Sequence, residues 1–176
     1  MHSRGYFLYH YLHTMKKLHQ DYLRSILFGF EDSLVSTTGV IAGVSAGNHD
    51  PKVILLAASV TIIVEALSMG AGQFLSERAV HEIDHKHNDS LAIGASLMFG
   101  SYFIAGFIPL LPVIFLSFPT SIYVSISSAF LGLFVLGYIK GKVVQTSPMR
   151  SGFEILVIGG IATILGIVAG WIFKTV

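Results

Sequence analysis

The chain contains no cysteine, and charged residues make up only 12% of its 176 residues. The lack of cysteine excludes a disulfide framework, a thiolate zinc site, an iron–sulfur cluster and a cysteine nucleophile. The 11 basic and 10 acidic residues nearly cancel and leave a formal charge of +1. Such a chain has no dense cationic surface for nucleic-acid phosphates, so we expect no nucleic-acid partner.

Hydrophobic residues are abundant instead, at 53% of the chain, and the mean hydropathy is +0.71. This composition is typical of a membrane protein, and a chain of this length accommodates roughly five spans of about 20 residues each. We therefore predict an all-α, polytopic membrane protein with five transmembrane helices. The predicted spans are Ile26 to Gly47, Val53 to about Leu75, Leu91 to about Phe115, Ser121 to Ile139 and Phe153 to Phe173.

The amino-terminal residues 1–25 mix basic, histidine and aromatic side chains without a long apolar core. This pattern predicts an amino-terminal helix lying at the membrane surface. Residues 26–176 then form the five-span domain, in which residues 76–90 are a short cytoplasmic link. With a cytoplasmic amino terminus, only Lys52 and Lys174 among the 11 basic residues lie outside, which is the expected bias. The membrane would be the plasma membrane in a prokaryote and the vacuolar or another organellar membrane in a eukaryote.

Three acidic residues, Glu31, Asp32 and Glu65, lie beyond the first turn of predicted spans, where an ionised carboxylate costs about 2.5 to 3.5 kcal/mol even on lenient scales. Glu31 is equally well explained as a boundary residue that faces the lipid headgroups. Asp32 lies in the first span and Glu65 near the middle of the second. With a turn near residue 50, antiparallel helices place residues at equal depth when their numbers sum to about 100. Ser36 is then level with Glu65, and Asp32 is level with Met69. We interpret these four side chains as a candidate cation site.

Simpler roles are open for two of these residues. Methionine is an ordinary packing residue in apolar helices, and a buried neutral carboxyl at Glu65 would hydrogen bond to a serine or threonine. If the four side chains bind a cation, carboxylates accept any divalent ion, whereas the Met69 thioether favours softer transition metals over Mg²⁺ and Ca²⁺. The pattern therefore favours Fe²⁺, as a transported ion and not as a prosthetic group.

A second candidate metal site lies in the cytoplasmic link. If the second helix continues inward, Glu77, His81 and His85 form an i, i+4, i+8 row that can hold a divalent ion. A charged surface helix explains the same residues without a ligand. All eight histidines fall in polar segments, and no nucleophile with a base and an oxyanion donor is recognisable, so we predict no enzymatic activity.

Small residues and prolines in the spans have a structural interpretation. Glycines recur every four residues on the first span and small residues do so on the fifth, at Gly39, Gly43, Gly47, Ala162, Gly166 and Gly170. Such stripes let helix backbones approach closely, so packing is the default interpretation. Pro109 and Pro112 would kink the third span, although a freed carbonyl there could line a cavity.

Three stretches together resemble the vacuolar iron transporter family: FEDSLVSTTGVIAG at 30–43, ALSMGAGQFLS at 66–76 and IPLLP at 108–112. The resemblance implies a five-span homodimer that moves Fe²⁺, and often Mn²⁺, out of the cytosol by proton antiport. It also implies that the first helices line a central pathway, with Asp32 and Met69 as transport-site ligands.

The chain departs from the family pattern in the second span and in the link. Plant and fungal members carry a glutamate two turns before the methionine, where this chain has Thr61, and many carry glutamate in place of Gln73. The large glutamate-rich cytoplasmic domain is absent between the second and third spans, which resembles the short branch of the family. The predicted function is therefore an exporter of divalent metal in a lipid bilayer, and the alternative is a non-transporting membrane scaffold.

Overall fold

A computed structural model describes the backbone of residues 3–83 and 90–174, and the side chains from residue 20 onward within those ranges. Its elements are five α-helices: α1 (Ser3–Gly47), α2 (Pro51–Ile83), α3 (Leu91–Phe115), α4 (Thr120–Val143) and α5 (Pro148–Ile172). In the described ranges, four helices, α2 to α5, are long and apolar enough to cross a membrane. The chain is thus an all-α, polytopic membrane protein, as the composition predicts.

Helix α1 is the centre of the bundle, because it contacts each of the other four helices. Helices α2, α3, α4 and α5 follow one another around it, each packed on the next. Across the described residues, α5 and α2 do not contact each other, so the ring has an open side there. One flank of α1 therefore lacks a helical neighbour from its own chain.

The first two helices are longer than the predicted spans. Helix α1 has 45 residues and α2 has 33, which correspond to roughly 68 Å and 50 Å, against a hydrocarbon thickness of about 30 Å. The backbone N–H of Ser90 donates to the Tyr22 hydroxyl at 3.2 Å, so α3 begins level with Tyr22. The earlier residues of α1 extend beyond that point, and no helix break marks the predicted boundary at residue 25. The surface location of residues 1–25 stays a prediction.

We call the end of the bundle at which α3 begins the basic end, because the basic side chains of Arg24, Arg78 and Lys140 lie there. Arg24 pairs with Glu77 near the end of α2 at 2.9 Å, and Lys140 is an electrostatic neighbour of Glu31 on α1. Helices that are consecutive in the sequence therefore run in alternating directions. The cytoplasmic location of the basic end stays a prediction.

Close backbone contact joins α1 to α5 along the two stripes of small residues. A Cβ atom added to Gly43 would lie 2.6 Å from the Gly166 carbonyl oxygen, and one added to Gly47 would lie 2.8 Å from that of Gly170. Real Cβ atoms do not approach a backbone oxygen this closely, so only glycine fits. The packing interpretation of the stripes is confirmed, and the contact lies within one chain.

The two prolines of α3 also have a packing role. Pro112 has no N–H, which leaves the Ile108 carbonyl without its helical donor. The Ser128 hydroxyl of α4 lies 3.3 Å from that carbonyl and 2.8 Å from the Ser125 carbonyl of its own helix. The Ser125 hydroxyl donates to the Pro109 carbonyl at 2.7 Å. The Ser125 hydroxyl thus joins α4 to the proline-containing turn of α3, and Ser128 places a second hydroxyl near the freed carbonyl, where a membrane helix needs a polar partner.

Candidate metal site

Asp32 and Ser36 lie one turn apart on α1, and Glu65 and Met69 lie one turn apart on α2. All four side chains are half-buried, so part of each side chain is accessible. Residues four apart share one face of a helix, so each helix presents a pair of candidate ligands. Asp32 and Glu65 interact electrostatically across the two helices.

A tyrosine from the third helix connects the two pairs. The Tyr102 hydroxyl donates to Glu65 Oε2 and also contacts Ser36 Oγ at 2.5 Å. Ser36 and Glu65 therefore lie at the same depth, as the hairpin count predicts. Whether the four side chains are ligands for a metal is not tested by this geometry, and that assignment stays a prediction.

The position of Tyr102 is fixed by its backbone and by its burial. The residue is 0% exposed, and its carbonyl oxygen accepts a hydrogen bond from Ser33 Oγ at 2.6 Å. Gly106, one turn further along α3, lies against Ser33 and Ile62, so α3 sits close to both α1 and α2. Tyr102 is not among the candidate ligands that the sequence pattern indicates. Its only signal is a phenol near the middle of an otherwise apolar span.

A single chain supplies few acidic or imidazole ligands at the depth of Asp32 and Glu65. Among the described residues, no group of three or more His, Cys, Asp and Glu side chains is placed to hold a metal ion. Glu31, next to Asp32 in the sequence, has Lys140 of α4 and Glu154 of α5 as its other electrostatic neighbours. Glu31 therefore lies on the side of α1 that faces α4 and α5, and Glu65 lies on α2.

An apolar groove of about 640 Å³ begins beside the candidate site and follows the open side of the bundle. Its α1 lining includes Ser36, Val40 and Val44, and its walls come from α5 and from Val53 at the start of α2. Ser36 thus belongs both to the groove and to the hydrogen-bonded chain that ends at Glu65.

The sequence profile of the VIT family matches residues 23–92 and 81–171, which together include all the candidate ligands described above. This chain belongs to the VIT family. The match agrees with the resemblance drawn from the three sequence stretches, and the length of 176 residues is consistent with the short branch.

Several plant proteins are similar to this VIT-family chain over most of its length. "Vacuolar iron transporter homolog 2" of Arabidopsis thaliana is 27% identical over 154 residues, covering 80% of this chain and 79% of the relative. "VIT-like transporter 1b" of Glycine max is 26% identical, covering 80% and 71%. "Vacuolar iron transporter" of Centaurea cyanus is 24% identical, covering 80% and 83%.

In the second candidate site of the VIT-family chain, at Glu77, His81 and His85, the glutamate already has partners within the bundle. Helix α2 continues to Ile83, so Glu77 and His81 do lie one turn apart on one helix, while His85 lies outside the described residues. However, Glu77 Oε1 accepts from Arg24 at 2.9 Å and from Gln73 Nε2 at 3.0 Å. Its carboxylate thus serves as an ion-pair partner within the bundle. Metal capture by Glu77, His81 and His85 stays a prediction.

Proposed function

We propose that this VIT-family protein carries a divalent transition metal, Fe²⁺ or Mn²⁺, out of the cytosol in exchange for protons. The observation that carries the proposal is the pair of interacting carboxylates, Asp32 and Glu65, inside the bundle of a chain whose relatives are named vacuolar iron transporters. Buried carboxylates within spans are costly, and in membrane proteins they mark ion and proton pathways.

The donor set fits such a cargo. Asp32 and Glu65 provide hard oxygen donors, and Ser36 adds a neutral oxygen. Met69 adds a thioether, which suits Fe²⁺ better than Mg²⁺ or Ca²⁺. A carboxyl that binds either a proton or a metal ion links the movements of the two, which is the basis of the proposed exchange.

The proposed transporting unit is a homodimer. One chain offers too few ligands for a six-coordinate ion, and Ser36 lies on the groove at the open side of the bundle. A second copy seated in that groove by a two-fold axis would bring its own Asp32, Ser36, Glu65 and Met69 to the same level. The groove would then be covered by protein rather than by lipid.

Metal flux into proteoliposomes tests the proposal. Wild-type protein should take up Mn²⁺ and Fe²⁺ with counterflow of protons, and Asp32→Ala combined with Met69→Ala should abolish uptake. Glu154→Gln is the matched control, because this exposed acid on α5 lies outside the candidate site. Wild-type rates in the double variant would contradict the proposal.

A stability measurement separates the carrier from a membrane scaffold. A ligand that binds only the folded state raises the free energy of unfolding, by about 2.7 kcal/mol at a hundred times the dissociation constant, and the melting temperature rises with it. We expect Mn²⁺ and Co²⁺ to stabilise wild-type protein but not the Asp32→Ala, Met69→Ala variant. A scaffold with merely hydrogen-bonded acids would show no such shift.

A further inference from the structure

Tyr102 makes the two oxygens of the Glu65 carboxylate unequal. A phenol has a single hydrogen, and an ionised carboxylate only accepts. The hydroxyl of Tyr102 therefore donates to Glu65 Oε2, and Ser36 Oγ donates to the phenol oxygen at 2.5 Å. The result is a directed chain of hydrogen bonds from Ser36 through Tyr102 to Glu65. Only Oε1 of Glu65 is left without this donor.

The hydrogen bond from the Tyr102 hydroxyl to Glu65 is not easily broken. The Tyr102 side chain is fully buried, and its backbone carbonyl is held by Ser33 at 2.6 Å. A phenol withdrawn from the carboxylate would have to replace that hydrogen bond, since a buried hydroxyl without an acceptor is costly. The preference of Glu65 for one free oxygen is thus built into the packing of α3 against α1 and α2.

The number of oxygens that a carboxylate offers affects which ion it suits. Ca²⁺ takes six to eight oxygen ligands and commonly uses both oxygens of a carboxylate, whereas smaller divalent ions are satisfied by fewer ligands. A glutamate limited to one oxygen therefore disfavours Ca²⁺ more than it disfavours Mn²⁺ or Fe²⁺. In the proposed dimer, the Glu65 of each copy would offer only one oxygen to the ion.

We propose that Tyr102 is a specificity-determining positioning residue, whose hydroxyl holds Glu65 to coordination through one oxygen and thereby discriminates against Ca²⁺. This inference rests on the proposed function, because it takes Glu65 as a ligand of the transported ion. It adds a residue on a third helix and a rule about which ions are rejected.

The test is inhibition of Mn²⁺ uptake by Ca²⁺ in proteoliposomes, compared between wild type, Tyr102→Phe and Tyr123→Phe. Tyr102→Phe keeps the ring and removes only the hydroxyl. The half-inhibitory Ca²⁺ concentration should fall about tenfold in Tyr102→Phe, which is the scale of one lost hydrogen bond to a charged group. Tyr123→Phe is the matched control, because Tyr123 is 70% exposed on α4, and it should leave that concentration unchanged.

A merely structural role for Tyr102 would lower Mn²⁺ uptake without changing the half-inhibitory Ca²⁺ concentration, and this result would overturn the inference. If Tyr102→Phe is not recovered folded, Glu65→Asp is the second variant, because the shorter side chain withdraws the carboxylate from the phenol. It should shift the Ca²⁺ sensitivity in the same direction, and an unchanged sensitivity would likewise overturn the inference. Wild-type protein without Mn²⁺ uptake would instead remove the proposed function, so the two failures are distinguishable.

Discussion

Glu77 is the most buried carboxylate among the described residues, with 11% of its side chain exposed, while its partner Arg24 is 65% exposed. Gln73 donates to the same oxygen, Oε1, at 3.0 Å. The pair joins α1 to α2 at the basic end of the bundle. Its two members differ in what their loss would cost, because removing the arginine leaves a charge behind in a buried place.

Loss of Arg24 should therefore destabilise the fold more than loss of an exposed arginine. We expect Arg24→Ala to lower the free energy of unfolding in detergent by about 1 to 3 kcal/mol, the cost of leaving a buried charged acceptor short of a donor. Arg78→Ala is the control, since the Arg78–Glu82 pair is 61% and 66% exposed. Exposed pairs contribute about 0 to 1 kcal/mol. Equal losses in the two variants would contradict this account.

Single residues differ in how far the sequence predicts their surroundings. The depth of Ser36 and Glu65 follows from counting outward from one tight turn, and the structure agrees. The contact of both residues with Tyr102 does not follow, because the rotation of α3 about its own axis is set by packing and not by the connection that precedes it. Glu77 was predicted as a metal ligand, and its pairing with Arg24 across 53 residues is equally invisible to a pattern on one helix.

The contact between α1 and α5 depends on backbone approach rather than on side-chain burial. In a bilayer, lipid tails are as apolar as leucine, so helices associate through close packing and hydrogen bonds. Gly166 is one such position, since a Cβ added there would lie 2.5 Å from the Gly39 carbonyl oxygen. Any side chain there must push the two helices apart.

Alanine substitution of Gly166 should therefore lower stability by about 1 to 3 kcal/mol, as for overpacked cores. Gly160 is the matched control on the same helix, because nothing lies within 4 Å of a Cβ added there. Gly160→Ala should be neutral or should stabilise by up to about 1 kcal/mol, since alanine is the better helix former. Thermal unfolding of both variants in one detergent measures the difference. A destabilised Gly160→Ala with an unaffected Gly166→Ala would show that the α1–α5 contact is described wrongly.

Helix boundaries were predictable to different degrees for a physical reason. Helix α3 runs from Leu91 to Phe115 in the structure, as predicted, because Ser90 caps its start and the apolar run ends sharply. Helices α1 and α2 extend past their apolar spans, since hydropathy reports where lipid can surround a helix and not where helical hydrogen bonding stops. Polar residues such as those of residues 76–83 continue a helix as readily as apolar ones.

At the scale of the whole molecule, the open side between α5 and α2 exposes the flank of α1 that carries Ser36 and Val40. Among the described residues, α2, α3, α4 and α5 of the same chain each contact α1 elsewhere. A second copy is the occupant that would complete both the helical cover of α1 and the ligand set of the candidate site. The proposed dimer and the proposed carrier thus both require a second copy of the chain in this groove.

A cross-linking experiment tests the dimer directly, and the absence of cysteine from the chain gives it a clean background. Val40→Cys places a single thiol in the groove, and a short thiol-to-thiol reagent should join two copies into a species of twice 19.1 kDa. Leu131→Cys is the control, because Leu131 is 65% exposed on α4 and does not line the groove. It should stay a single chain under the same conditions in proteoliposomes. Cross-linking through Leu131→Cys but not through Val40→Cys would move the interface to the α4 side, and no cross-link from either would indicate that lipid fills the groove.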